Sequence, residues 1–146
     1  MVHEFTYPVT LTPDETDGGF IVTFKDLPEA ITQGETVEDA LAEAADALEE
    51  AIAGRIQRGN PIPEPSQAAS LTKVPVPAQT AAKAALYLAL RETGITKSEL
   101  AVRLGCDEKE VRRLLDPRHS SKLPRIQKAL VALGKNLALL LVDEAA

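Results

Sequence analysis

Thr96–Leu115 reads TKSELAVRLGCDEKEVRRLL, and its spacing predicts two short helices joined by a tight turn. Thr96 and Glu99 form a T-x-x-E capping box, in which the hydroxyl accepts from an orphan N–H and the carboxylate reaches back. Leu100, Ala101 and Leu104 make an apolar stripe, and Gly105 supplies the left-handed residue that ends the helix. Asp107 caps a second helix, with Glu110 three residues on. Val111, Leu114 and Leu115 point inward from it, leaving Lys109, Arg112 and Arg113 outward. The small Ala101 sits where two steeply crossing helices approach closely. This is the sequence form of a helix-turn-helix, a motif whose second helix enters the DNA major groove.

An ordinary helical hairpin with a solvated charged face is the competing reading, since capping boxes are common. Against it stands the joint placement of Leu100, Ala101, Leu104, Gly105, Val111 and Leu114. Basic residues also continue past the second helix, at Arg118, Lys122, Arg125 and Lys128. DNA binding is therefore the favoured reading. In it Lys109 and Arg112 read base edges, with Arg113 beside them. Arg118, Ser120, Ser121, Lys122 and Arg125 position the phosphates, and His119 touches phosphate.

The charge distribution agrees with a division of labour. Residues 1–70 carry 14 acidic against 3 basic side chains, a net −11, and residues 71–146 carry 13 basic against 8 acidic, a net +5. A basic half suits phosphate, whereas an acidic half suits a basic protein partner and repels nucleic acid. The 45% hydrophobic and 26% charged composition is that of a globular chain. With 3% aromatic residues and no tryptophan, its cores must be aliphatic. The single Cys106 excludes an internal disulfide and, without neighbouring ligands, argues against zinc; packing is the expected role. MVHEFTYP has no signal-peptide features, and the apolar run Leu137–Val142 is too short to span a bilayer. A soluble cytoplasmic protein is expected.

From the N-terminus, Phe5, Tyr7, Val9 and Leu11 alternate with Thr6, Pro8 and Thr10, the period of a half-buried strand. Pro8 favours an edge position. TPDETDGG, from Thr12 to Gly19, is a turn, Phe20–Phe24 a second strand, and Ile31–Gly34 a short third. Thr36 opens a long helix with the stripe Val37, Leu41, Ala44, Ala45, Leu48, Ile52 and Ile56, stopped by Gly59. Pro61–Ser70 is an extended connection and Leu71–Val76 a fourth strand. An alanine-rich helix follows from about Thr80 to Arg91, with Ala84, Leu86, Leu88 and Leu90 packing on the helix-turn-helix. DPRHSSK is a loop, and Leu123–Leu133 is a helix stopped by Gly134. Leu137–Val142 is apolar on both alternating faces, which fits a strand buried on two sides or paired across a subunit interface; a buried helix end is the alternative. The expected fold class is α+β: a β-β-β-α-β module over residues 1–77, then an all-α helix-turn-helix module with a C-terminal strand over residues 78–146.

Three stretches carry a resemblance to a known family. They are YPVTLTPDETDGGFIVTFKDLPEAITQGETVEDALAEAADALEEAI, the IPEPS segment, and AAKAALYLALRETGITKSELAVRLGCDEKEVRRLLDPRHSSKLPRIQKALVALGK. Together, over nearly the whole chain, they resemble the HicB antitoxins, specifically the branch with a C-terminal helix-turn-helix domain. The resemblance implies that the N-terminal module has a partial RNase H-like fold and binds the HicA toxin, a small basic ribonuclease of double-stranded-RNA-binding-domain type. It implies further that the C-terminal module binds the operator and represses the operon.

The expected function is that of a non-catalytic antitoxin and autoregulator. The acidic module would occlude the toxin's RNA-binding face, with Glu43, Asp46 and Glu50 as toxin-facing residues. Leu137, Leu139 and Leu141 would pair two chains into a homodimer or higher homo-oligomer. No cofactor or metal is expected. A metal nuclease needs carboxylates converging on Mg2+. Asp14, Glu15 and Asp17 instead crowd one turn, and strand positions 5–11 and 20–24 hold no acid. His3 and His119 lack a Ser or Cys partner and are expected at the surface. Two readings compete with the antitoxin: a helix-turn-helix repressor whose acidic domain senses a small ligand, and a degenerate nuclease.

Overall fold

Pro8 has no N–H to donate, and the N-terminal strand divides just after it. In the computed structural model, which describes residues 2–68 and 71–143, β1 (Thr6–Pro8) pairs antiparallel with β5 (Lys73–Pro75). The register matches Thr6 with Pro75, Tyr7 with Val74 and Pro8 with Lys73. The chain then passes Val9 and begins β2 (Thr10–Pro13), which joins β3 (Phe20–Thr23) and β4 (Ile31–Gly34) in an antiparallel sheet of order β2-β3-β4. The single strand expected over residues 5–11 is thus two strands in two sheets. A proline is tolerated at an edge or a strand end and not within a central ladder. Residues 69 and 70 of the expected connection, and 144–146 of the expected C-terminal module, lie outside the described residues.

The chain divides into two compact units: one holds the strands, with the chain up to Gly54, Pro63–Pro77 and the chain from Val142, and the other runs over Arg55–Ile62 and Ala78–Leu141. In the first, α1 (Val37–Arg58) starts where Thr36 Oγ1 accepts from Asp39 N at 3.0 Å. Its buried stripe within this unit is Ala40, Ala44, Leu48, Ala51 and Ile52. Val37, expected on that stripe, is 43% exposed because it lies in the first turn, ahead of the buried face, and Leu41 is only half-buried. Tyr7, Val9, Val22, Phe24, Leu27, Ala30, Val74 and Val76 add buried side chains from the strands and loops. The connection after α1 is pinned to this unit by polar contacts. Tyr7 donates its hydroxyl to the Pro63 carbonyl at 2.6 Å, and the Asp26 carboxylate accepts from both the N–H and the hydroxyl of Ser66.

The second unit contains α2 (Ala78–Thr93), α3 (Lys97–Leu104), α4 (Glu108–Leu115) and α5 (Leu123–Ala132). Ala82, Leu86 and Ala89 of α2 share one core with Leu100, Ala101, Val111, Leu114, Leu115, Ile126, Ala129, Leu130 and Leu133. Leu90 packs at its margin. Leu88 is only half-buried, because the 3.6-residue period carries the buried face through 82, 86 and 89. The tail departs from expectation: Leu137–Val142 forms no strand, Leu137 packs against the helical core, and Leu139 and Leu141 are 85% and 99% exposed. Among the described residues, no strand pairs with this segment.

The tightest backbone approach in the first unit is at Gly34. A Cβ there would fall inside van der Waals contact of the Ala40 backbone N and Cα, at the start of α1. Gly34→Ala is therefore expected to destabilise the protein by about 1–3 kcal/mol, the usual cost of overpacking. Urea unfolding of the variant against the parent, with an unchanged midpoint, would refute this close packing.

Candidate functional site

Both short helices of the second unit are capped as their sequences require. Thr96 Oγ1 accepts from Glu99 N at 3.1 Å, and Asp107 Oδ1 accepts from Glu110 N at 2.9 Å. The reciprocal half of the first box differs from expectation. The Glu99 carboxylate accepts from the Thr96 hydroxyl at 3.2 Å, so it meets the side chain. Gly105 ends α3 at φ +67°, and Cys106 N returns a bond to the Ala101 carbonyl at 3.0 Å. Cys106 packs against the core, in the role expected of it. Further bonds tie the elements together: Ser98 to Glu108 at 3.1 Å between α3 and α4, and Arg103 to the Ala132 carbonyl at 3.0 Å between α3 and α5.

With Val111, Leu114 and Leu115 turned inward, α4 presents Lys109, Arg112 and Arg113 to solvent. Arg112 lies 3.5 Å from Glu108, while Glu110 bridges Arg113 at 3.3 Å and Arg125 of α5 at 3.1 Å. Exposed pairs of this kind contribute at most about 1 kcal/mol each, so they orient the guanidinium groups without locking them. Lys109 makes no ion pair among the described residues. The loop between α4 and α5 exposes Arg118, His119, Ser120 and Lys122. Its course is set by Asp116, whose carboxylate accepts from Arg118 N at 2.9 Å and whose carbonyl accepts from His119 N at 3.1 Å. The structure therefore brings the nine residues expected for DNA contact onto α4, the following loop and the start of α5. Ser121 differs from the rest. It is half-buried, and its hydroxyl faces the chain's own interior.

That hydroxyl meets Lys83, which sequence reasoning passed over. Lys83 lies on α2, is 0% exposed, and donates to the Arg113 carbonyl at 2.9 Å and to Ser121 Oγ at 2.5 Å. Burial pushes its pKa down from 10.5 to about 8, opposed by the Asp116 carboxylate. The signal was present in the sequence: Lys83 stands three residues before Leu86, on the buried stripe of a helix whose other stripe residues are small or aliphatic.

In the first unit, Glu43, Asp46 and Glu50 are all exposed on α1, and their spacing of three and four residues sets them on one face. The acids weighed for catalysis do not assemble. Asp14 accepts from Thr16 N and Asp17 N within its own turn; Asp26, a further carboxylate of this unit, accepts from Ser66. Among the described residues, no three His, Cys, Asp or Glu side chains converge on a metal position. His119 is exposed. His3, expected at the surface, is half-buried against Phe5 with ring centroids 4.5 Å apart, and burial lowers its pKa.

Residues 6–85 match a family model described as the HicB-like antitoxin of bacterial toxin–antitoxin systems. The chain belongs to this family. It is 43% identical to Antitoxin HicB of Escherichia coli strain K12 over 137 residues, covering 93% of this chain and 99% of that protein. Antitoxin HicB 1 of Photorhabdus laumondii is 40% identical over 95% of this chain and 88% of its own length. Antitoxin HicB of Pseudomonas fluorescens is 35% identical over 91% and 92%. The likeness to these antitoxins thus spans both units and supports an antitoxin role for this HicB-like chain. No helix among its described residues is long and apolar enough to cross a membrane.

Lys83 gives the antitoxin a signature in its pH dependence. Its folded pKa lies below the unfolded value, so between about pH 8 and 10.5 the unfolded chain holds a proton that the folded chain has released. Stability from this group therefore rises with pH across that window. In urea unfolding at pH 7.5, 9 and 10, the difference in stability between the parent and Lys83→Met should shift in the parent's favour as pH rises. A difference independent of pH would show that the buried ammonium is not destabilised.

Proposed function

We propose that this antitoxin neutralises a HicA-type mRNA-cleaving toxin by occlusion, without catalysis, and represses its own operon in the cytoplasm by binding operator DNA. The observation that carries the reading is the opposite charge of two exposed surfaces. Glu43, Asp46 and Glu50 share one face of α1, while Lys109, Arg112, Arg113, Arg118, Lys122 and Arg125 are exposed on α4, its loop and α5. The first suits the basic RNA-binding face of a ribonuclease, and the second suits the phosphate backbone. The N-terminal unit would then be the partial RNase H-like toxin-binding module.

In the DNA half, α3 and α4 act as a helix-turn-helix with α4 as recognition helix. Lys109 and Arg112 read base edges, Arg112 giving up its exposed pair with Glu108, and Arg113 assists. Arg118, His119, Ser120, Lys122 and Arg125 contact phosphates. The tail supplies the partner contact: exposed Leu139 and Leu141, with Leu137 at the margin of the helical core, pair with a second chain about a two-fold axis, forming a strand only in the dimer. Two recognition helices about 34–36 Å apart then meet successive major grooves of an inverted repeat. An exposed apolar segment of this kind is otherwise an aggregation hazard.

Two experiments test the two halves. For DNA, Arg112→Ala should cost about 1–3 kcal/mol and relax specificity at one position, whereas Lys122→Ala should weaken all sequences alike and lower the salt slope by about one charge. Leu139→Lys with Leu141→Lys should halve the mass in sedimentation and abolish operator binding. Parental binding by all these variants would refute the DNA reading. For the toxin, reversing Glu43, Asp46 and Glu50 to Lys should slow association more than it speeds dissociation, most visibly at low salt. An unchanged association rate would place the toxin on another surface.

A further inference from the structure

Gln79 and Lys83 are one helical turn apart on α2 and so share a face. Both converge on Ser121. Gln79 Oε1 accepts from Ser121 N at 3.0 Å, and Lys83 Nζ donates to Ser121 Oγ at 2.5 Å. The same ammonium donates at 2.9 Å to the carbonyl of Arg113, in the last turn of α4. A cation is favourable at that end of a helix, where carbonyls lack intrahelical partners. One buried group therefore ties together the end of the basic helix and the far end of the loop that follows it. Between those two points lie Arg118, His119 and Ser120, and the His119 ring nitrogen Nδ1 is 3.3 Å from the clamped Ser121 hydroxyl.

Burying an ammonium is costly, and an apolar side chain of similar length would fill the space on α2. Packing alone does not account for Lys83. Its bonds do something an apolar residue cannot: they set a distance and direction between two backbone segments that both carry exposed cations.

We propose that Gln79, Lys83 and Ser121 form a clamp that holds the loop 116–122 against the end of α4, so that the cations of both meet one stretch of DNA backbone in register. The three are positioning residues and need not touch DNA. The proposal rests on the DNA-binding reading above, and it assigns Ser121 an internal role in place of a phosphate contact. A preorganised loop forfeits less conformational entropy on binding than one that must be ordered by the ligand.

The test uses the full chain and two readouts, one of which needs no DNA. Amide hydrogen exchange of residues 118–121 is followed in the parent, Lys83→Met, Ser121→Ala, Ser121→Thr and Gln79→Ala, each first checked for parental circular dichroism. Binding is measured to a labelled duplex from immediately upstream of the chain's own reading frame. The clamp predicts faster exchange in Lys83→Met and Ser121→Ala and about tenfold weaker binding, the scale of one well-made contact. It also predicts near-parental behaviour of Ser121→Thr, which keeps the hydroxyl, and a double variant no weaker than the worse single one. Should Lys83→Met fail to fold, Ser121→Ala and Gln79→Ala carry the comparison. Unchanged exchange in the folded variants overturns the clamp, whatever the DNA result. Faster exchange with parental affinity overturns its positioning role. A parent that does not bind the duplex overturns the DNA-binding reading itself, and exchange still reports on the clamp.

Discussion

Two helices of eight residues each, α3 and α4, are too short to persist in water alone, where nucleation costs more than two turns of hydrogen bonds return. Their existence depends on burying a shared aliphatic face. Leu100 and Ala101 from one, and Val111, Leu114 and Leu115 from the other, enter the core that α2 and α5 complete. With a single Cys and almost no aromatic residues, that core is built from small and branched side chains, which permits close helix approach at Ala101. The caps at Thr96, Gly105 and Asp107 then decide where each helix begins and ends. Remove the shared core and these caps would terminate helices that do not form.

The helix dipole orders the charges on α4. Glu108 and Glu110 occupy the first turn, where partial positive charge favours acids, and Arg112 and Arg113 the last, where carbonyls favour cations. The basic end of α4 consequently runs directly into a loop that carries Arg118, His119 and Lys122. Lys83 answers the same field from inside, at the Arg113 carbonyl. Charge placement that stabilises a short helix thus also gathers cations where an anionic ligand would gain most from them.

In the strand-bearing unit, backbone constraints dominate. Pro8 ends β1 where the β5 ladder continues through Val9 N to the Thr72 carbonyl, and Gly34 lets β4 run against the start of α1 because it has no Cβ. The polar ties of Tyr7 to Pro63 and of Asp26 to Ser66 fasten the proline-rich connection after α1. Glu43, Asp46 and Glu50 stay exposed together on one face of α1, outside these ties.

Local chemistry in the sequence determined a good deal. The capping boxes, the helix-ending glycines, the alternation of the strands and the charge split between halves all depend on neighbours a few residues apart, and such patterns are legible without a fold. The positions of the cationic residues on α4 followed from the same 3.6-residue period. What the sequence left undecided involves partners distant along the chain. That β1 pairs with β5 across more than sixty residues, and leaves β2 to other strands, depends on which ladder can do without Pro8's N–H. The pairing of Lys83 with Ser121 joins residues 38 apart, so no local pattern announces it. The tail Leu137–Val142 shows the same division from the other side. Its alternation marks a strand, but a strand requires a partner ladder, and among the described residues none pairs with it.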